Sequence, residues 1–180
     1  IKMSKNKKDI LVCVAWPYVN GPPHLGHIAG MSLPADIFAR YNRLVGNNVA
    51  MVSGSDMHGT PVTLLANDEG VSPEEIANKF HNIWSECLDK MNFSYDLYTN
   101  THTENHSNIT QWMFSTLLKN GFLEVKKQLM PYSITENIFL SDRLVEGECP
   151  CGNNKKARGD QCDVCGRTLD PSDLKNIRSK

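Results

Sequence analysis

The order of two short apolar segments and the helical pattern between them constrains the fold most. Residues 10–15 (ILVCVA) and 49–52 (VAMV) are continuous apolar runs rich in β-branched residues, typical of strands buried on both faces. Between them, apolar residues at positions 25–44 recur at helical spacing, and Pro34 predicts a kink or a break into a short and a longer helix. Strand, helix and strand in this order predict a right-handed βαβ unit with parallel strands.

Capping motifs extend the α/β pattern along the chain. Residues 72–75 (SPEE) combine an N-cap serine, a proline at the first helical position and a capping-box glutamate. The helix that they open is expected to run to about Met91. A third strand is predicted at residues 95–98, and Thr101 with Glu104 repeats the capping-box spacing before another helix.

Composition restricts the class of protein. The chain is 40% hydrophobic and 22% charged, which is typical of a soluble globular protein. It has no apolar run as long as the roughly 20 residues of a membrane span, and residues 1–8 lack the apolar stretch of a signal peptide. We therefore expect a cytoplasmic protein without a membrane partner. A net charge of −1 argues against a broad basic surface for nucleic acid.

The six cysteines fall into two groups. Cys13 lies in an apolar run and Cys87 in a helical pattern, so both are expected to be buried thiols. The other four are bunched in a polar, loop-rich stretch, which in a cytosolic chain indicates a metal site before a disulfide pair. These candidate ligands are Cys149, Cys151, Cys162 and Cys165.

The sharpest motif is the loop between the first strand and the first helix, residues 17–27 (PYVNGPPHLGH). At the carboxyl end of a parallel strand such a loop meets a helix N-terminus, where free N–H groups and the helix dipole favour an anion. His24 and His27 can both reach a phosphate and stabilise the charge that grows on it. Gly26 would let a flat ring such as adenine approach the backbone. A metal-binding pair, or two histidines that merely start a helix, are the alternatives.

This loop also carries a family resemblance. His24, Leu25, Gly26 and His27 match the His-Ile/Leu-Gly-His signature of class I aminoacyl-tRNA synthetases, and residues 17–30 look like the methionyl enzymes, especially those of archaeal type. The resemblance implies that His24 and His27 are catalytic residues that hold the ATP phosphates during amino-acid adenylation. It also implies that Asn20 and Gly26 lie in the same ATP-binding loop.

A second motif follows the second strand, at residues 53–61 (SGSDMHGTP). Asp56 lies at the carboxyl end of a parallel strand, which faces the crevice where ligands bind, and its carboxylate is suited to an ammonium group. The stretch resembles the Asp-x-His-Gly-Thr-Pro motif of the family, in which the aspartate binds the α-amino group of the substrate. The alternative role for Asp56 is an N-cap for a helix near Pro61.

Trp16 and Tyr18 flank the proline that follows the first strand. An apolar slot with one aromatic hydroxyl suits a thioether, which packs well against ring edges. In the methionyl enzymes that this chain resembles, the tyrosine contacts the methionine side chain, whereas the position of Trp16 is usually leucine. Simple core packing is the alternative for Trp16.

The cysteine cluster resembles the connective-peptide zinc module of the same family. Residues 162–166 (CDVCG) form a standard knuckle for tetrahedral zinc, and residues 149–152 (CPCG) supply the partner pair. The family's first knuckle is Cys-x-x-Cys, so this chain has one residue fewer. The tighter bite predicts a strained site, three thiolates, or partial occupancy. The role implied for zinc is structural.

Together these motifs predict two segments and one activity. Residues 1–121 are expected to form the N-terminal half of a Rossmann-type catalytic domain, and residues 122–180 a connective-peptide segment with a zinc knuckle. The resemblance implies attack of methionine on Mg-ATP to give methionyl-adenylate, followed by transfer to tRNA(Met). The second half of the Rossmann fold and its Lys-Met-Ser-Lys-Ser loop are absent, so the isolated chain is expected to be inactive. Residues 2–5 (KMSK) mimic that loop by accident.

Three alternatives remain at this stage. The chain could come from another class I synthetase, for leucine, isoleucine or valine, to which Trp16 and Tyr18 point, although those enzymes carry a large editing insert here. A small nucleotidyltransferase with the same histidine signature would not explain the cysteine cluster. A zinc-ribbon interaction protein would use the sheet only as a scaffold.

Overall fold

The computed structural model describes residues 7–127 and 129–179, and the side chain of Arg143 is not among the described parts. The chain divides into two compact units, the first ending at Lys119 and the second beginning at Asn120. The KMSK stretch at residues 2–5 lies outside the described residues. Within the described part, every helix is too short or too polar to cross a lipid bilayer.

A parallel three-stranded sheet organises the first unit. Its strands are β1 (Asp9–Cys13), β2 (Asn48–Ser55) and β3 (Leu97–Asn100), in the order β1-β2-β3. Both pairings are parallel. The predicted α/β fold class with parallel strands is therefore confirmed. The third strand begins two residues later than expected. Just before it, Asp96 donates its N–H to the carbonyl of Met51 and accepts the N–H of Met51 with its carboxylate.

The helix after β1 is interrupted, as Pro34 predicts. A short α1 (Leu25–His27) continues through a π-helical turn (Ile28–Ser32) into α2 (Leu33–Leu44). The N–H of Leu33 donates to the carbonyl of Ile28, five residues back, and Pro34 has no N–H to offer to the preceding turn. The break that the proline predicts is therefore one widened turn, which joins the short helix to the longer one.

Three further helices complete the first unit: α3 (Thr60–Glu69), α4 (Pro73–Lys90) and α5 (Glu104–Lys119). The capping box that predicts α4 is present, with Ser72 and Glu75 bonded reciprocally. The predicted cap of α5 was wrong by two residues. Thr103, not Thr101, accepts the N–H of His106.

The sequence indicates α3 only as the possible helix near Pro61, and the structure confirms that helix from Thr60 onward. Its first residues belong to the Asp56 motif, and its buried positions, Val62 and Ala66, lie one turn apart. It ends in Gly70, which adopts a left-handed conformation at φ 69°.

The main core of the first unit lies between α3, α4 and the loop after β1. Trp84 of α4 is fully buried in it and packs with Val19 and Met57. The remaining members are Val62, Ala66, Ile76, Ala77 and Phe80. A smaller cluster of Val14, Ala39 and Met51 joins α2 to the sheet. The loop and the strand end that carry the two motifs are therefore parts of the hydrophobic core.

The expectation that β1 is buried on both faces was wrong. Its burial alternates, with Ile10 and Val12 partly covered, Leu11 65% exposed, and Cys13 exposed. The reason is positional, because β1 is the outer strand of the described sheet and α2 covers one face only. The expected buried thiol at Cys13 is therefore a surface thiol, and Cys87 is half-buried.

The second unit is built from short antiparallel strands. A hairpin joins β4 (Tyr132–Ser133) to β5 (Ile138–Phe139). A second sheet has the order β7-β6-β8, with β6 at Val145–Glu148, β7 at Ala157–Arg158 and β8 at Lys175–Ser179. Its core contains Leu140, Val145, Ala157, Leu169 and Leu174, together with Cys149 and Cys162.

Candidate active site and metal centre

The loop after β1 runs alongside the end of β2 and brings two of the predicted site residues together. Tyr18 and Asp56 form a parallel β-bridge. The N–H of Asp56 donates to the carbonyl of Pro17 at 2.8 Å, and the N–H of Val19 donates to the carbonyl of Asp56 at 3.2 Å. These bonds extend the β1-β2 pairing past the ends of the strands, so both side chains are carried by one rigid strand end.

The carboxylate of Asp56 makes a local bond. Its Oδ1 accepts the N–H of His58 at 3.2 Å. The side chain is half-buried and is not the cap of the next helix, because the N-cap of α3 is Gly59. The alternative role of Asp56 as an N-cap is therefore excluded, and the carboxylate is available for a ligand.

The two histidines form a stacked pair. Their ring centroids are 3.7 Å apart. The N–H of Gly26 donates to Nδ1 of His24 at 3.1 Å, and the N–H of His24 donates to Nδ1 of His27 at 3.3 Å. Because each Nδ1 accepts a backbone proton, the neutral ring of each histidine carries its own proton on Nε2, a tautomer assigned from the hydrogen bonds. Two Nε2–H donors are thus available side by side.

Burial, followed by the charge of His24, lowers the pKa of His27. A stacked imidazolium pair would bring two positive charges together, so this arrangement favours a neutral His27 near pH 7. A neutral ring still donates from Nε2 to a phosphate oxygen.

The structure gives a steric reason for a glycine at position 26. A Cβ at this position would lie 3.0 Å from Cε1 of His24, because the His24 ring folds back over the backbone. Glycine therefore permits the cap geometry of the histidine. Approach of an adenine ring to Gly26 stays a prediction, and so does the role of Asn20, whose side chain is exposed on the same loop.

Trp84 is a site residue that the sequence analysis missed. Its Nε1–H donates to the carbonyl of Gly21 at 3.0 Å, and its ring lies edge-on to His27 with centroids 4.8 Å apart. The helical pattern of α4 marks Trp84 as a core residue, but sequence gives no sign that a helix 63 positions later in the chain holds this loop.

Trp16 packs against the sheet. A Cβ at Gly54 would lie 2.6 Å from the Trp16 ring and 2.6 Å from the carbonyl of Thr99. The indole is 36% exposed, and its centroid is 6.1 Å from that of His106 in α5. This geometry favours the packing role for one face of Trp16 and leaves its other side accessible.

Tyr18 lies over a second glycine. Gly59 has φ 138°, a conformation that side chains rarely adopt, and a Cβ there would be 3.0 Å from Cε1 of Tyr18. The tyrosine ring is 47% exposed. The glycine of the Asp-x-His-Gly motif thus makes room for the tyrosine of the loop, which links the two motifs physically.

In the second unit, the four clustered cysteines converge. Their Sγ atoms all lie within 4.8 Å of one another, and those of Cys149 and Cys165 are 3.8 Å apart. Four thiols at this spacing fit a tetrahedral ion such as zinc. The set of Cys149, Cys151, Cys162 and Cys165 could therefore hold a metal ion.

The shorter first knuckle is accommodated by a tighter turn. The N–H of Gly152 donates to the carbonyl of Cys149, three residues back, whereas that of Gly166 donates to the carbonyl of Cys162, four residues back. Both glycines have positive φ, at 77° and 72°. One residue fewer in the knuckle is matched by one residue fewer in the turn, so the fourth thiol still reaches the cluster.

The cluster distributes its protons unequally. The N–H of Cys165, with that of Val164, lowers the pKa of Cys162 to about 6 despite burial. The Cys151 N–H acts in the same direction on Cys149, but burial and the neighbouring thiols raise the pKa of Cys149 to about 12. The thiol of Cys162 therefore ionises more readily than that of Cys149, and a bound cation would displace the remaining protons of the cluster.

Comparison with known proteins identifies relatives of the whole chain. The family model described as tRNA synthetases class I (M) matches residues 10–180. Methionine–tRNA ligase of Chloroflexus aurantiacus is 52% identical over 173 residues, which are 96% of this chain and 29% of the relative. That of Thermobifida fusca is 50% identical over 175 residues, with 97% and 29% covered. The chain thus spans under a third of the length of these relatives.

The fold also matches a solved structure. Mycobacterium tuberculosis methionyl-tRNA synthetase in complex with methionyl-adenylate superposes with a TM-score of 0.67 at 20% identity. The match covers 96% of this chain and 31% of the other. It supports a Rossmann-like class I synthetase fold for the parallel sheet and its helices.

Proposed function

The chain belongs to the class I tRNA synthetases of the methionyl type, and we propose that it supplies the histidine-bearing part of an ATP and methionine site in a longer methionine–tRNA ligase. The observation that carries this proposal is the Tyr18–Asp56 bridge, which joins the histidine loop to the strand end with the carboxylate. The reaction is the ATP-dependent formation of methionyl-adenylate, followed by transfer of the methionyl group to tRNA(Met).

The histidine pair acts on the triphosphate. The Nε2–H groups of His24 and His27 donate to phosphate oxygens while the methionine carboxylate attacks the α-phosphorus and pyrophosphate leaves. Their bonds strengthen as negative charge grows on those oxygens, and the backbone bonds to Nδ1 hold both rings in the required tautomer. Magnesium enters with ATP as part of the substrate. Asn20 and Gly26 line the same ATP-binding loop.

The strand end holds the amino acid. The Asp56 carboxylate pairs with the α-ammonium group of methionine, and Tyr18 with the accessible side of Trp16 contacts the thioether side chain. No covalent intermediate with the protein is needed, because positioning and charge stabilisation suffice for transfer of the adenylyl group from ATP to the methionine carboxylate.

Zinc is proposed as the ion of the cysteine cluster. Its role is structural: four thiolates would complete a tetrahedral shell and cross-link the loops of the second unit. In this proposal residues 1–121 form the N-terminal half of the catalytic domain and residues 122–180 the connective-peptide segment. The division of contacts at Lys119 and Asn120 supports these limits.

The relatives named above are bacterial and give no support to the archaeal type expected from the histidine loop. Recognition of tRNA(Met) and a cytoplasmic location stay predictions. A leucine, isoleucine or valine enzyme, a small nucleotidyltransferase and a zinc-ribbon interaction protein are disfavoured by the match to the methionyl family over residues 10–180.

The test is ATP–pyrophosphate exchange by the full-length protein that contains this chain. We expect exchange that depends on methionine, and no comparable exchange with leucine, isoleucine or valine. Exchange with one of these three instead of methionine would overturn the proposed substrate. The isolated chain of 180 residues is expected to show no exchange.

A further inference from the structure

Three polar side chains form a partly buried hydrogen-bonded cluster, one member of which is next to Asp56 in the chain. Ser55 is fully buried, and its Oγ lies 2.8 Å from Nδ1 of His81 and 3.0 Å from the hydroxyl of Tyr98. The rings of His81 and Tyr98 are stacked, with centroids 5.8 Å apart and planes 8° from parallel. Helix α4, β2 and β3 each contribute one member.

The protonation states leave two directions open for these hydrogen bonds. Burial raises the pKa of Tyr98 to about 12, so its hydroxyl keeps a proton near pH 7. Burial lowers the pKa of His81, which favours the neutral ring. With the ring proton on Nε2, Nδ1 accepts from Ser55 and Ser55 accepts from Tyr98; with the proton on Nδ1 both directions reverse, and the same three side chains stay linked.

The backbone connects this cluster to Asp56, the residue proposed to bind the amino acid. Ser55 directly precedes Asp56, and its carbonyl accepts the N–H of Thr101 at 3.1 Å. Met57, which follows Asp56, donates its N–H to Oγ1 of Thr101 at 2.9 Å. Both chain neighbours of Asp56 are thus anchored, and Ser55 is the one anchored through its side chain.

We propose that Ser55, His81 and Tyr98 are positioning residues that fix the direction of the Asp56 carboxylate toward the α-ammonium group of the amino acid. This inference rests on the proposed function, in which Asp56 binds that group. A misdirected carboxylate weakens the amino-acid contact and leaves the phosphate contacts of the histidine loop unchanged. The expected signature is therefore a selective rise in the KM for methionine.

The experiment measures methionine-dependent ATP–pyrophosphate exchange in the full-length protein. Tyr98→Phe removes one hydroxyl and keeps the ring. Loss of a hydrogen bond of this kind predicts a rise in the KM for methionine of about three- to tenfold, with the KM for ATP within about twofold of wild type. Tyr95→Phe is the matched control. Its ring, which packs against Tyr98 with centroids 5.8 Å apart, is kept, and its hydroxyl bonds Ser32 Oγ at 3.2 Å and no member of the cluster, so its loss should leave the KM for methionine unchanged.

Two substitutions of His81 separate positioning from packing. Asparagine places a polar atom near the position of Nδ1, whereas leucine fills the same space without any hydrogen-bonding atom. We expect His81→Leu to raise the KM for methionine about as much as Tyr98→Phe does. The KM of the His81→Asn variant should stay closer to the wild-type value. If Ser55→Ala does not fold, Tyr98→Phe with its Tyr95→Phe control and the two His81 variants still test the positioning role.

The outcomes separate the two proposals. If wild type shows no methionine-dependent exchange, the proposed function fails and the positioning role fails with it. If wild type exchanges but the Tyr98 and His81→Leu variants lower only the melting temperature, or raise both KM values together, the positioning role alone is wrong.

Discussion

The indole of Trp84 lies edge-on against the ring of His27, with centroids 4.8 Å apart, while its Nε1–H holds the carbonyl of Gly21. The same side chain therefore holds the histidine loop at Gly21 and packs against the ring of His27. Its full burial connects the histidine pair to the core of α3 and α4. One residue therefore links the arrangement of the histidine pair to the packing of the core.

We expect Trp84→Phe in the full-length protein to keep most of the packing but lose the bond to Gly21. The free energy of unfolding should fall by about 1 kcal/mol or more, because the half-buried Gly21 carbonyl loses its partner. The KM for ATP should rise as the histidine loop loosens. Denaturant unfolding and exchange kinetics check this. An unchanged KM for ATP in a destabilised variant would restrict Trp84 to a role in stability.

His24→Ala and His27→Ala in the full-length protein should lower the turnover of ATP–pyrophosphate exchange by about 100-fold each, since each removes one donor to the developing phosphate charge. The KM for methionine should change much less. His102→Ala, at an exposed histidine outside the loop, is the control. Equal losses in turnover and in methionine affinity would contradict the phosphate role.

Asp56→Asn should act on methionine rather than on ATP. Loss of a charge-assisted bond to the ammonium group predicts a KM for methionine raised about 10- to 100-fold, with the KM for ATP nearly unchanged. Asp89→Asn, on the exposed side of α4, provides the matched loss of charge. Should both substitutions have the same small effect, Asp56 does not bind the amino acid.

Stability should fall as the pH is lowered through about 6.5. Burial lowers the pKa values of His27 and His81 below the ordinary 6.5, so the unfolded chain binds protons more tightly than the folded one. This contribution is complete above pH 6.5 and is lost toward the lowered folded values. Melting temperatures of the full-length protein between pH 7.5 and 5.5 measure it. The fall should be shallower in His81→Asn, and a fall of equal size there would exclude His81 as a source.

Each chain should bind one zinc ion, measured by elemental mass analysis of the protein purified without added chelator. Cys162→Ser should remove most of the metal, because it deletes the thiol that ionises most readily. Cys13→Ser, at a surface thiol of the first unit, should retain it. Full zinc content in Cys151→Ser would indicate that the short knuckle contributes only one ligand.

How far the sequence predicts this molecule depends on the range of the interactions involved. The βαβ order, the cap of α4 and the convergence of the Tyr18 and Asp56 motifs follow from local patterns and from the geometry of parallel strands. The effect of Pro34 was predicted in kind, because a missing N–H has a local consequence.

What the sequence missed depends on tertiary packing. The roles of Trp84 and His81 need partners 63 and 26 positions away, and no periodic pattern encodes such partners. The exposure of Leu11 was mispredicted because an apolar run does not reveal whether it forms a central strand or an edge strand. The convergence of all four cysteines depended on a turn type that spacing alone left open.

The position of β1 has a practical consequence. Within the described residues, β1 pairs with β2 on one side only. The N–H and C=O groups on the other side of β1 form an exposed sheet edge near the exposed Leu11. An unpaired strand edge of this kind can form hydrogen bonds with strands of other molecules. Preparations of these 180 residues alone should therefore self-associate with rising concentration, and a lysine in place of Leu11 should delay the onset of turbidity.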